Sequence, residues 1–184
     1  MPTHSPKVTL HMVASLDGFI ANKDNTVDWM HSRDSYSDGV TLTEEAITEF
    51  LAGIDCYVMG SKTYEHALKL GWPYEKVPVI VLSNRELESE KGSVEFYAGD
   101  LDVLVNAQLK PKYNNIWLVG GAMLTKDFLR AKLVDEIVLS IMPILLGDGL
   151  LFFDYVRMEQ RLHLKDSKAY TDGMVELTYE VVKG

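Results

Sequence analysis

The sequence predicts an α/β fold on a mixed sheet, parallel in its middle and antiparallel at one edge. Three observations carry this: short aliphatic runs alternate with helical stripes, each run ends in a Gly or Ser turn, and an Asp-Gly turn joins two alternating stretches near the C-terminus. With 47% hydrophobic and 24% charged residues in a chain of 184, there is enough apolar material for one core, and a single domain over 1–184 is expected.

Val8 to Val13 alternates with Thr9 and His11 and reads as a first strand running into the turn Asp17-Gly18, where Asp17 serves as a turn former. Thr41 followed by Glu44 matches a capping box. Ala46, Ile47, Phe50 and Leu51 then share one stripe, predicting a helix from about Thr43 to Leu51. Cys56 to Met59, Val79 to Leu82 and Ile116 to Val119 are dense in aliphatic residues and read as buried parallel strands. Candidate helices follow Lys62 and lie near Leu101 to Leu109, so the sheet should be covered on both faces. Ile137 to Ile141 is a further strand, after which Pro143 and Gly147-Asp148-Gly149 end the alternation. Arg161 to Tyr170 and Met174 to Val182, joined by Thr171-Asp172-Gly173, predict a C-terminal antiparallel hairpin.

Composition narrows the function. Acidic residues outnumber basic ones 27 to 18, and a net charge of −9 repels nucleic-acid backbones and anionic lipid heads, so neither partner is expected. Ile137 to Leu146 is interrupted by Ser140 and Pro143 and falls short of the roughly 20 residues that cross a bilayer. Met1 to Lys7 lacks the features of a signal peptide, which makes a cytoplasmic location the expectation. Cys56 is the single cysteine, and the five His residues show no H-E-x-x-H spacing, so disulfide and metal chemistry have no support.

Three turns could carry chemistry. Leu118-Val119-Gly120-Gly121-Ala122 is a strand that turns on two glycines into a helix, where backbone N–H groups and the helix dipole favour a pyrophosphate; the pair would equally serve a tight turn. Met59-Gly60-Ser61-Lys62-Thr63 repeats the arrangement, with Lys62 supplying charge and Thr63 a hydroxyl. Val81-Leu82-Ser83-Asn84-Arg85 ends a strand in two polar residues and an arginine. Open α/β sheets bind ligands at the carboxyl ends of their strands, so three such turns on one edge point to a nucleotide. A full G-x-G-x-x-G is absent, which excludes the usual dinucleotide fingerprint.

Ser15-Leu16-Asp17-Gly18-Phe19-Ile20-Ala21, Met59 to Glu65, Leu82 to Arg85, Val119 to Ala122 and Leu133-Val134-Asp135-Glu136-Ile137, in that order, resemble the dihydrofolate reductase-like superfamily. Within it they are closest to the branch related to the C-terminal reductase domain of bacterial riboflavin biosynthesis proteins. The resemblance runs from about Val8 to Val182. It implies a three-layer α/β/α fold, reduction of a flat nitrogen heterocycle by NADPH, and a homodimer.

Carried over residue by residue, Gly120, Gly121 and Ala122 match the pyrophosphate turn, and Gly60 and Thr63 match a second phosphate turn. Ser61 stands where these reductases often have an arginine, leaving Lys62 and Arg85, with Ser83 and Asn84 beside them, for the adenosine phosphate. Trp29 to Asp34 reproduces the spacing from a tryptophan to the substrate carboxylate, which makes Asp34 the candidate acid; Asp34 also belongs to the polar run His31 to Ser35, which could simply be exposed. Ser140 resembles a strand hydroxyl that faces the substrate, and Trp29 is the aromatic expected to stack on a ring. Phe19 replaces the lysine that riboflavin-pathway reductases carry after Asp-Gly, so one contact to a sugar phosphate is missing and the substrate stays open. A non-catalytic nucleotide-binding protein of the same fold is the alternative.

Overall fold

The structure, a computed structural model, describes residues 5–89 and 91–184. In chain order the strands and helices are β1 (Lys7–Ser15), β2 (Phe19–Ala21), α1 (Glu44–Ala52), β3 (Cys56–Gly60), α2 (Ser61–Lys69), β4 (Val79–Leu82), β5 (Val94–Tyr97), a π-type helix over Val103–Leu109, β6 (Asn115–Gly120), α3 (Ala122–Arg130), β7 (Glu136–Met142), β8 (Leu150–Leu151), β9 (Leu162–Ala169) and β10 (Val175–Val181). A short 3₁₀ turn over Asp28–Met30 precedes α1.

Alternation along β1 places the layers. Val8, Leu10 and Ala14 are buried in the main core with Leu104, Val105 and Leu109 of the π-type helix and Leu124, Phe128 and Leu129 of α3. On the opposite face Tyr64 of α2 packs with Tyr57, Met59, Val79 and Val81. Phe50 brings α1 to that same face by edge contacts with the rings of His11 and Trp117. The sheet thus lies between two helical layers, as expected.

Strand order is β5-β4-β3-β6-β1-β7-β10-β9. Every pairing from β5 to β7 is parallel, whereas β10 runs against both β7 and β9, so β10 alone is reversed. The carboxyl ends of β3, β4 and β6 therefore share one edge. The opposite edge is tied by charge: Asp135 accepts the Val8 N–H at 2.8 Å and pairs with Lys110 and Lys183, and Glu136 pairs with Lys7 and Lys165, each at 2.8 Å.

The structure corrects two local expectations. Thr41 does not cap α1; Thr43 does, its hydroxyl oxygen accepting the Ala46 N–H at 3.2 Å, because Thr43 has the extended backbone that lets its side chain turn back. Asp17 does more than form a turn. Its carboxylate accepts the Ser15 hydroxyl at 2.6 Å and the N–H groups of Leu146 and Gly147 at 3.1 and 2.8 Å, binding the first loop to the segment after β7. These bonds hold its carboxyl below the usual range.

Candidate active site

Two helices open on the shared edge. Gly60 is the N-cap of α2 and Gly121 that of α3, and neither start receives a side-chain cap, unlike α1 with Thr43. Leading N–H groups of a helix need acceptors, and a helix start without one is a ready anion site. Room for the anion exists: a Cβ at Gly60 would meet nothing within 4 Å, and one at Gly121 only Thr63 Oγ1 at 3.7 Å. Thr63 joins the two starts. Its hydroxyl donates to the Gly120 carbonyl and accepts the Gly121 N–H, both at 3.3 Å. These residues fit a dinucleotide's phosphates by an open cradle and two helix starts that no N-cap side chain closes.

Around them stand Lys62, exposed on the first turn of α2, and the loop after β4. Ser83 Oγ accepts the Arg85 N–H at 3.0 Å and fixes the loop, with Asn84 exposed between them. Sequence reasoning missed one feature: Arg85 Nη2 donates to Glu65 Oε1 at 2.6 Å, so the arginine is already engaged by a carboxylate one turn along α2 from Lys62. Glu65 carried no signal in sequence because its partner is 20 positions away.

On the α1 side of the sheet a second set of polar residues gathers. Ser140 on β7 is buried, and its hydroxyl donates to Glu176 Oε2 of β10 at 3.2 Å. The Tyr170 hydroxyl donates to Glu176 Oε1 at 3.4 Å, and His11 Nε2 lies 3.4 Å from Ser140 Oγ. The His11 ring stacks on Trp117 with centroids 4.9 Å apart. Burial pushes the His11 pKa down, with Glu176 opposing. A cavity of about 300 Å³ opens here between sheet and α1, lined by Thr9, His11, Phe50, Trp117 and Val138 among others.

Trp29 and Asp34 line a separate hollow of about 380 Å³ with Met142, Pro143 and Ile144 at the carboxyl end of β7. Trp29 is buried against Met142, Tyr170 and Met174, and its indole N–H has no partner among the described residues. Asp34 is exposed; its N–H donates to Ser32 Oγ at 3.0 Å, and its carboxylate stands beside Gly173 of the β9–β10 turn. Tyr170 connects the two regions, touching Trp29 on one side and Glu176 on the other. The structure brings Trp29 and Asp34 to one hollow and sets Ser140 on the neighbouring stretch of the same sheet face. Cys56 is buried at the far side, its thiol pushed up to about 12 by burial and by Asp55 and Glu95, which removes it as a nucleophile.

A dihydrofolate reductase-like sheet with a phosphate-type edge and an apolar, aromatic flank is the class these features define. Residues 6–176 match the RibD C-terminal domain, and the chain belongs to that reductase-like family. The Bacillus subtilis proteins YwjB and YyaP, both called uncharacterized, are 30% and 28% identical, the former over 94% of this chain and 97% of its own length, the latter over 94% of each. A Shewanella sp. PV-4 structure named for riboflavin biosynthesis superposes with a TM-score of 0.82 at 27% identity, covering 96% of this chain and 99% of that one. A pyrimidine reductase-like protein from Corynebacterium diphtheriae shares the fold at 17% identity, with a TM-score of 0.67 over 98% and 94% of the two chains. So does a Thermotoga maritima deaminase/aminouracil reductase at 16%, with a TM-score of 0.68; 97% of this chain spans 57% of that one.

Proposed function

We propose that the protein is an NADPH-dependent reductase of a planar nitrogen heterocycle of the pteridine or aminopyrimidine type. The observation that carries this reading is the pair of uncapped helix starts at Gly60 and Gly121, joined by Thr63, beside Ser83, Asn84 and Arg85 on one sheet edge. The names of the Corynebacterium and Thermotoga proteins support a pyrimidine as the ring.

In this reading Gly60, Thr63, Gly120, Gly121 and Ala122 hold the pyrophosphate by backbone and hydroxyl donors, and Lys62 and Arg85 take the 2′-phosphate. NADPH, when bound, supplies the hydride. Trp29 offers a ring face and a free indole N–H to the substrate, and Ser140 orients the acceptor. Asp34, at the solvent rim of its hollow, gives the proton that balances the hydride and is reloaded from water.

The reading extends to a homodimer. No residue of α1 is buried although Ile47, Phe50 and Leu51 are apolar, and the edge strand β9 exposes Leu162 and Leu164. Sedimentation at micromolar concentration should give twice 20.7 kDa, and a mass near 20.7 kDa would remove the dimer.

The test of function is NADPH oxidation against a panel of pterins, folates and aminopyrimidines. Consumption with one ring class is the expected result. Tight NADPH binding with no turnover on any member would leave a nucleotide-binding protein, and no NADPH binding would refute the reading.

A further inference from the structure

The loop after β4 meets α2 through one ion pair. Ser83 fixes the loop: its N–H donates to the Tyr97 carbonyl of β5 at 3.1 Å, and its hydroxyl oxygen accepts the Arg85 N–H at 3.0 Å. The Arg85 guanidinium reaches across to α2, where Nη2 donates to Glu65 Oε1 at 2.6 Å. Glu65 stands one helical turn after Lys62, on the same side of α2. The two basic residues assigned to a 2′-phosphate thus share their corner of the carboxyl edge with a carboxylate, which cancels one of their charges.

Both members of the pair are open to solvent, the side chain of Arg85 being 55% exposed and that of Glu65 43%. Neither has spent its hydrogen-bonding capacity. A guanidinium has five N–H donors, and Glu65 Oε2 has no hydrogen-bond partner among the described residues. The pair therefore offers a donor and an acceptor side by side. A ribose 2′-hydroxyl both donates and accepts, and matches the two together. A 2′-phosphate carries about two negative charges and presents acceptor oxygens, so it matches Arg85 and faces Glu65 charge against charge. To take a bidentate hold on it, the guanidinium must turn away from Glu65.

We propose that Glu65 sets the cofactor choice: its carboxylate competes with a 2′-phosphate for Arg85 and accepts the 2′-hydroxyl of an unphosphorylated ribose, so that the site takes NADH as well as NADPH. This rests on the reading that a nicotinamide dinucleotide lies along the carboxyl edge. Lys62 and Arg85 still favour NADPH, and Glu65 limits by how much.

Calorimetric titration of the full chain with NADPH, NADH and 2′-deoxy-NADH reads the proposal. NADPH and NADH should both bind the parent, and the deoxy form, which has no hydroxyl for Glu65, should bind more weakly than NADH. Glu65→Ala removes the carboxylate and releases Arg85. It should tighten NADPH and weaken NADH by roughly threefold each, widening the ratio of the two Kd values about tenfold, and should nearly close the difference between NADH and its deoxy form. Glu65→Gln keeps an oxygen for the hydroxyl, so it should tighten NADPH and spare NADH. A pair that only stabilises the fold would lower Tm on substitution and leave the ratio alone. No NADH binding in the parent beside firm NADPH binding, a Kd ratio within about twofold of the parent's in Glu65→Ala, or equal affinity of the parent for NADH and its deoxy form would each overturn the inference. If Glu65→Ala does not fold, the Glu65→Gln ratio and the deoxy probe on the parent decide it. NADPH binding with an unmoved ratio sinks this inference alone, whereas a parent that binds neither dinucleotide sinks the reductase reading with it.

Discussion

Replacing Gly121 with alanine separates the cofactor cradle from the fold. The backbone there has φ −39°, and the added methyl meets nothing nearer than Thr63 Oγ1 at 3.7 Å, an ordinary van der Waals contact. Stability should therefore change by no more than about 1 kcal/mol, a shift of roughly 2–4 °C in Tm for a chain of this size. The same methyl projects into the gap between the two helix starts. An N–H···O bond needs about 2.9 Å between heavy atoms, whereas a methyl carbon keeps an oxygen at about 3.3 Å or more, so the pyrophosphate must retreat. Weakening one charge-assisted bond costs about 1.5–3 kcal/mol, or roughly 10- to 100-fold in Kd. Titration calorimetry of NADPH against parent and Gly121→Ala, with thermal unfolding of both, reads the two effects apart. A Kd within about twofold of the parent, at unchanged Tm, would show that no phosphate sits at this turn. Gly60→Ala, where the methyl has open space, is the companion if Gly121→Ala loses its fold.

The remaining expectations concern charge and protons. NADPH should bind more tightly than NADH, and Lys62→Gln or Arg85→Gln should narrow the gap by about tenfold, while Glu65→Gln, which releases Arg85, should widen it; equal dissociation constants for the two cofactors in the parent would end the assignment. Asp34→Asn should keep cofactor affinity and lower turnover by roughly 10²-fold, with Ser140→Ala milder, and unchanged turnover at every pH would remove Asp34 from the mechanism. Stability should decline as pH falls below His11's ordinary value of 6.5, because the unfolded chain then binds a proton that the buried ring refuses. Urea titrations between pH 7.5 and 5 should show that slope in the parent and a flatter one in His11→Gln; identical slopes would place the loss elsewhere. The carboxylates Asp135 and Glu136, held low by their lysines against the effect of burial, contribute stability that is lost only at more acid pH, below their ordinary range.

Period and turn chemistry made most of the architecture legible. Aliphatic runs became β3, β4, β6 and β7 within a residue or two, and Thr171-Asp172-Gly173 joined β9 and β10. Short elements were not legible: β2, β5 and β8 have two to four residues each, too few for alternation to stand out. The cap of α1 was misplaced by two residues because Thr41 and Thr43 both precede the glutamates, and only the chain's path decides which turns back. The turns at Gly60, Ser83 and Gly120 could be read as one edge because each follows a recognisable strand. His11 was read only as a polar position in an alternating strand. Its meaning needs register: Val13 lies opposite Ser140, and Ser140 opposite Glu176, so residues far apart in sequence meet across three strands. A histidine, a serine and a glutamate on inward-facing strand positions was the available signal.

The shared motifs divide by the end of the sheet they occupy. Gly60 to Thr63, Ser83 to Arg85 and Gly120 to Ala122 lie at carboxyl ends, where strands stop and α2 and α3 begin without a side-chain cap. Asp135 and Glu136 start β7 at the other end, where they hold Lys7, Lys110, Lys165, Lys183 and the Val8 N–H. Resemblance in sequence weighs the two kinds alike. Geometry separates them, since the Asp135 and Glu136 carboxylates both have partners, whereas the starts of α2 and α3 have none from a capping side chain. Helix starts that no N-cap side chain closes thus mark where an anion fits on the carboxyl edge.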